Sequence, residues 1–528
     1  MRKGTAGTAG VPPHRLPGAV PPAIDDQLLS RCSEFITTRF GLYFPKKRWR
    51  DLARTIVALA DDFGSADAES FIRWLIAAEL TQSQLDILAD RLTIGETYFF
   101  REPRSFEVLE TEVLPPLLRA RREGERRLRI WSAGCSTGEE AYSIAMLLQR
   151  ILPDLSRWNV TILATDINPA SLKKAARGEY GAWSFRGIPP GLRERFFHRH
   201  GEKRYEVTAA VRKMVIFSQL NLAEDPYPSL ATNTNAMDII FCRNVLMYFA
   251  PQQVERVIEN FRHALVHGGW LVVSPCETSH TLFSRFETVN FRNAILYRKA
   301  DLGKPSTPLS LFGHAGTEPH PLSRQPVTLE TDASPSLPLQ PATASIAPPV
   351  APSAVIPEPS PYEGALEFFR QGLYDEAAEK LMSQPAHGEN TTGLPFVGES
   401  AALLARIFAN KGDFAAALEW SEKAVAVAKL DPEIRYLQAT ILQEQGETEA
   451  AVAALKKALY LDHTFVLAHL SLANLSRKMG KKKDAAKHLE NAAELLTKYG
   501  DDDILPGSDG MSARRLGEII AATRNGTA

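Results

Sequence analysis

The chain has 528 residues, 44% of them hydrophobic and 23% charged, with a formal net charge of -1. That length exceeds one hydrophobic core and predicts two or three domains, while the balanced charge excludes a protein drawn by its bulk electrostatics to nucleic acid or an anionic membrane. Four scattered cysteines, Cys32, Cys135, Cys242 and Cys276, give no C-x-x-C pair for zinc or redox chemistry and fit a reducing cytoplasm.

Residues 1–24 carry early positive charge but no apolar run long enough for a signal peptide or a membrane span, and read as a disordered leader. Residues 25–92 predict a small all-α domain. In "AESFIRWLIAAEL", Phe71, Leu75 and Ala78 share a face, with Ile72 and Ile76 beside them. Over 93–300 the pattern becomes strand, loop, helix, with strands expected at "RIWS", "VTILATD", "MVIFSQL", "MDIIFC", "WLVVS" and "AILYRK". That order predicts a Rossmann-like α/β domain whose mostly parallel sheet is covered on both faces. "PQQVERVIENFRHALVHGG" reads as a crossover helix with proline at its start and a Gly-Gly stop at 268–269.

Residues 301–361 hold 14 of the 35 prolines, a composition that builds no core and reads as a linker. Beyond it, Gly412, Gly446 and Gly480 recur every 34 residues. Ala405, Ala439 and Ala473 share that period, as do Ala417, Ala451 and Ala485, and Ala424, Ala458 and Ala492. Small residues at those places let antiparallel helices cross closely. The pattern over 362–500 resembles tetratricopeptide repeats, an α-solenoid, with a degenerate first unit keeping Gly372 and Ala377. Residues 501–528, with "SARRLGEIIAATR", are expected to form a C-terminal cap. The array is expected to bind a protein partner and to be separable from the domain before the linker.

The stretch "RIWSAGCSTGEEAYSIAMLL" passes from an apolar run through Gly134-Cys-Ser-Thr-Gly138 into a helix opened by Glu139 and Glu140. A dinucleotide site places G-x-G-x-x-G at such a turn so that amides approach a pyrophosphate. Two carboxylates in the first turn suit the helix dipole but would repel a phosphate, so the expected ligand is uncharged or cationic at that end. Asp166 ends the next strand, where an α/β nucleotide site uses a carboxylate to accept both ribose hydroxyls.

Three further segments, "RLTIGETYFFREP", "SQLNL" and "FCRNVLMYF", join that loop in order along the chain. Together they resemble the chemotaxis receptor methyltransferases, the CheR family, over nearly all of residues 25–300. The resemblance implies S-adenosylmethionine as cofactor and a glutamate side chain on the cytoplasmic methylation helices of a chemoreceptor as acceptor, giving a methyl ester. It places Thr97, Arg101, Glu139, Asp166, Asn221, Leu222, Asn244 and Val245, with the Gly134 loop, around the cofactor, and Arg101 and Tyr248 beside the reacting methyl as the catalytic pair. Family members often carry asparagine where this chain has Gly95, so a side-chain contact is lost there. The family also inserts a small antiparallel β subdomain, here within 178–217.

The chemistry is consistent with these residues. A sulfonium prefers carboxylates to lysines nearby, and a glutamate acceptor, with a reference pKa of about 4.3, is already ionised and needs no general base. No metal site is expected, and the "HRH" at 198–200 reads as solvated surface. Of two basic runs, 31–57 has seven Lys/Arg against two Asp/Glu and resembles the family's receptor-docking face. The second, 119–129, has six arginines against two glutamates and reads as a solvated helix end. The alternatives are a cofactor-binding scaffold or sensor whose repeats carry the function, and a nucleic-acid methyltransferase. The absence of an N-P-P-[FY]-like motif counts against the latter. No membrane insertion and no nucleic-acid partner are expected.

Overall fold

The structure, a computed structural model, describes residues 24–201, 203–292, 294–300, 360–383 and 395–525. The leader and the proline-rich linker fall, apart from their last residues, outside the described residues.

Four helices, Asp26–Phe40, Trp49–Asp62, Ala68–Ala77 and Gln82–Leu92, enclose the N-terminal core. Phe71, Ile72 and Leu75 are buried as their spacing requires. The first helix ends at Gly41 in a left-handed turn (φ 72°), and a Cβ there would lie 2.6 Å from Ala223 Cβ, so this domain sits directly on the next one.

Among the described residues the α/β domain holds ten strands: β1 (Arg127–Ala133), β2 (Asn159–Asp166), β3 (Glu179–Gly181), β4 (Phe197–His200), β5 (Arg204–Val207), β6 (Val215–Gln219), β7 (Met237–Cys242), β8 (Leu265–Val273), β9 (Glu287–Phe291) and β10 (Ala294–Arg298). Seven form one sheet in the order β6-β2-β1-β7-β8-β10-β9, parallel as far as β8, with β10 and β9 antiparallel at the edge. Alternate residues enter opposite apolar layers, as a sheet covered on both faces demands. Leu128 and Ile130 of β1 join one layer with the Glu139–Ile151 helix, and Trp131 and Ala133 join the other with the Pro251–Ala264 helix. The remaining three strands make the small antiparallel sheet β3-β5-β4, with His198 and His200 exposed.

One boundary differs from the expectation. The crossover helix ends at Ala264, and the Gly-Gly pair lies inside β8, where register shifts between Met237 and Ile239. Val266 is β-branched and extended, and it is buried in the cluster that holds Phe414. Gly268, at φ 74°, absorbs the irregularity that a helix stop was expected to mark.

The described residues of the C-terminal region form four helix pairs: Pro361–Arg370 with Tyr374–Met382, Pro395–Lys411 with Phe414–Val427, Pro432–Glu444 with Thr448–Leu461, and Val466–Lys478 with Lys482–Leu496. All nine periodic alanines are at most 3% exposed, because helix backbones cross over them. Three of the four inter-helix turns dock on the α/β domain. Gly372 meets His263, Gly412 meets Val266 and Arg127, and Gly446 meets Asn159. These contacts lie at the amino ends of the sheet strands.

The docking changes the reading of the 119–129 run. Arg127 and Arg129 are 5% and 1% exposed rather than solvated. Arg129 pairs with Glu444 of the third helix pair and donates to the carbonyls of Asn233 (3.0 Å) and Asn235 (3.2 Å). Arg127 lies over the Phe414 ring at 4.2 Å and donates to the Gly412 carbonyl at 3.1 Å. Burial, with Arg129 beside it, pushes the Arg127 guanidinium down to about 10. Among the described residues no helix is long and apolar enough to cross a membrane.

Candidate active site

At the carboxyl ends of β1, β2, β6 and β7, where strand order departs on both sides of β1, a cavity opens beneath the N-terminal helices. This is the crevice an open parallel sheet leaves for a ligand. Its walls include Thr97, Arg101, Gly134, Asp166, Asn221, Leu222, Asn244, Val245 and Tyr248, which are nine of the ten residues singled out from sequence.

Glu139 is the tenth, and the structure does not bring it there. Its buried carboxylate turns toward the small β subdomain, accepting from Thr137 Oγ1 (2.6 Å) and Ser184 Oγ (2.9 Å). Glu140 lines the cavity instead. It accepts from Ser132 Oγ (2.7 Å) and Arg243 (3.2 Å), and burial raises its carboxyl against the pull of Arg243. One of the two acidic residues therefore contributes to the field at the loop, and a buried arginine balances it.

The walls are built from strained and crowded backbone. Gly134 has φ 80°, and a Cβ there would overlap Val245 Cγ2, so only glycine lets the β1 and β7 loops cross. Ser136 and Asn244 are held at φ 49° and 60°. Such conformations persist where surrounding bonds over-determine them. Ser136 N–H donates to Asp166 Oδ2 (2.8 Å), and Asn168 N–H donates to Asp166 Oδ1 (2.9 Å). Burial raises the Asp166 carboxyl, with these backbone donors opposing it.

Asn244 is fixed by Glu277. One carboxylate takes backbone N–H groups from Asn244 (2.7 Å), Val245 (2.8 Å), Met247 (3.3 Å) and Ser274 (3.1 Å), pinning the segment that carries Tyr248. Arg243 sits behind this loop, donating to Glu102 (2.9 Å) and to the Arg101 carbonyl. Burial acts to raise Glu102, and Arg243 outweighs it, holding the carboxyl below its usual range. Arg101 itself donates to the Glu96 carbonyl at 2.7 Å, which keeps its side chain at the cavity wall.

The N-terminal domain completes the site. Phe40, Leu42, Tyr43, Phe44 and Arg48 face the cavity, Tyr43 N–H donates to the Tyr248 carbonyl (2.7 Å), and the Arg48 guanidinium lies 5.8 Å from the Tyr248 ring centre. Sequence reasoning assigned Arg48 to an outer docking run and did not single out Arg243 or Glu277. Arg243 stood inside the C-R-N-V motif, a signal that could have found it, whereas Glu277 is 33 residues downstream of Asn244 and only the fold brings it to the loop. Lys46, Lys47 and Arg50 remain on the exposed side.

What the cavity could hold follows from its donors. The Ser136 hydroxyl is buried with no hydrogen-bond partner, and Asp166 uses two of its roughly four acceptor positions. This set fits a nucleoside with vicinal hydroxyls and a cationic or neutral tail. Cys135 and Cys242 are buried thiols raised by burial, and they pack rather than react. Among the described residues no group of three or more metal-ligating side chains occurs.

Comparison with known proteins gives the same assignment. The family model for the CheR methyltransferase, SAM binding domain, matches residues 95–295, and one for a tetratricopeptide repeat matches 432–464. The chain is 36% identical over 284 residues to chemotaxis protein methyltransferase 2 of Vibrio cholerae, covering 53% of this chain and 96% of that relative. It is 37% identical to chemotaxis protein methyltransferase 1 of Pseudomonas aeruginosa, covering 40% and 77% respectively, and 31% identical to the chemotaxis protein methyltransferase of Borreliella burgdorferi, covering 47% and 87%. The chain belongs to the CheR family of methyltransferases, and its cavity lies in an S-adenosylmethionine-binding domain joined to tetratricopeptide repeats.

Proposed function

We propose that the protein methylates glutamate side chains on the cytoplasmic methylation helices of a chemoreceptor, as a protein-glutamate O-methyltransferase. The observation that carries this reading is the convergence of Asp166, Asn221, Asn244 and Val245 on one cavity whose wall also holds Arg101 and Tyr248. S-adenosylmethionine supplies a methyl group made electrophilic by a sulfonium. Asp166 would accept the ribose hydroxyls, beside the close crossing of the Gly134 and Val245 loops. Arg101, with one nitrogen bound to the Glu96 carbonyl, can fork its remaining N–H groups onto a carboxylate. Tyr248 would donate to an acceptor oxygen, and the helices above the cavity would exclude water. A carboxylate acceptor needs no base, so catalysis rests on alignment.

The exposed Lys46, Lys47 and Arg50, which flank the cavity-lining Arg48 in the chain, suit an acidic helical substrate. The repeats supply a surface for a protein partner. The test is transfer of labelled methyl to a receptor cytoplasmic fragment, with RNA offered separately, followed by alkali. Base-labile label on the fragment is the expected result, and alkali-stable label or label on RNA would overturn the reading. Asp166→Ala should weaken S-adenosylmethionine binding at least about tenfold by calorimetry, roughly 1.4 kcal/mol.

A further inference from the structure

The C-terminal cap does more than close the solenoid. Residues 501–512 form a tight turn, bridged between Ile504 and Ser512, that lies against the first helices of the repeat pairs. Leu505 and Met511 are 3% and 1% exposed in the cluster that holds Tyr436, Phe465 and Leu470. A Cβ at Gly507 would lie 3.1 Å from the Phe465 ring. Asp509 accepts from Ser229 Oγ at 3.0 Å and stands 3.8 Å from Arg406. The face made by these first helices is thus covered here by the chain's own tail.

The helix that follows, Ala513–Asn525, packs on the last repeat helix through Leu516 and Ile520 and reaches the sheet at β6. Arg515 pairs with Asp225 at 2.8 Å, with both side chains nearly buried, and donates to the Gln219 carbonyl at the end of β6. The same Asp225 oxygen accepts the backbone N–H of Asn221 at 2.6 Å. Gln219 is the register partner of Asp166. Asn221 and Asp166 both line the candidate cofactor cavity. A single arginine beyond the repeats therefore braces the strand end and the turn that form one wall of that cavity.

We propose that Arg515 is a positioning residue for the cofactor site, acting through Asp225 on Asn221, so that cofactor affinity depends on the C-terminal cap. The inference rests on the cavity being the S-adenosylmethionine site. It makes the repeat array, through the tail it holds, part of the binding apparatus rather than a detached appendage. Glu518 shares Arg515 from the other side, and it touches neither Asp225 nor Asn221 in the bonds just described. It serves as the control.

The experiment uses the full chain and titrates S-adenosylmethionine calorimetrically at a temperature well below each variant's melting midpoint. Arg515→Ala should weaken binding by about fivefold or more, and Arg515→Lys, which keeps the charge but not the fork, should lie between it and the parent. Glu518→Gln should stay within about twofold of the parent, and Asp225→Asn added to Arg515→Ala should cost little more, since both act on one path. Affinity within about twofold of the parent in folded Arg515→Ala, or in Arg515→Lys if the alanine variant does not fold, would overturn the proposal. So would equal losses in Arg515→Ala and Glu518→Gln that track their melting midpoints, the signature of a merely structural role. Asp166→Ala separates the two levels. Loss there with none at Arg515 removes only the positioning role, whereas no loss at either removes the cavity assignment as well.

Discussion

Glu444→Gln tests how firmly the repeats are tied to the catalytic domain. Arg129 and Glu444 have side chains 1% and 8% exposed, so the substitution leaves a guanidinium buried without its counter-charge. Removing one partner of a buried pair costs about 3–5 kcal/mol. Arg129 keeps the Asn233 and Asn235 acceptors, and glutamine can still accept one hydrogen bond, which places the expected loss near the lower end, about 3 kcal/mol. With a urea slope of about 3 kcal/mol/M, the unfolding midpoint should fall by about 1 M, read by circular dichroism. Replacing both residues, Arg129→Met with Glu444→Leu, should recover part of the loss, because no charge is then stranded. A loss below about 1 kcal/mol, the range of an exposed pair, would refute the claim that this contact is a buried, structural junction. The junction also bears on the expected separability of the array, because a chain ending near residue 300 would expose Val266 and Ala236 where Phe414 now covers them.

Three further outcomes are expected. Gly134→Ala should cost S-adenosylmethionine affinity at least about tenfold by calorimetry, since φ 80° and the Val245 methyl both oppose a side chain; unchanged affinity would show that the two loops separate freely. Reversing the charges of Lys46, Lys47 and Arg50 should slow methylation of receptor fragments and flatten its salt dependence while leaving cofactor binding intact, and equal loss of cofactor binding would assign them to the fold. Glu259 gives the pH dependence. Burial acts to raise its carboxyl, but bonds from His263 and Arg262 hold it well below its ordinary 4.5. A depressed folded value means stability present above the unfolded value and lost as pH falls through the folded one. Glu259→Gln should therefore unfold with a flatter acid slope below about pH 4.5 and unchanged slope above pH 6, by fluorescence-monitored titration.

Much of the architecture is local and therefore written in order along the chain. Six strands, the crossover helix and the 34-residue repeat follow from apolar period, proline and glycine placement, because each depends on neighbours within a few residues. The same holds for the loop chemistry: Gly134, Asp166 and Asn244 sit at strand ends, and strand ends in a parallel sheet converge whatever the rest of the chain does.

What sequence could not decide are the contacts between distant segments. Glu139 and Glu140 are adjacent and chemically alike, and only the direction of the first helical turn sends one to the subdomain and the other to the cavity. Arg127 and Arg129 read as solvated because their charge is visible while what they meet lies far along the chain, the Gly412 carbonyl 285 residues from Arg127 and Glu444 315 residues from Arg129. Arg48 lines the cavity because the Gly41 turn folds the N-terminal helices over it. Composition, periodicity and motif order fix which residues can do the chemistry. Burial and charge pairing belong to the assembled fold, because a charged side chain enters the interior where tertiary packing supplies a counter-charge, as Glu444 does for Arg129, or hydrogen-bond partners, as backbone N–H groups do for Asp166 and Glu277.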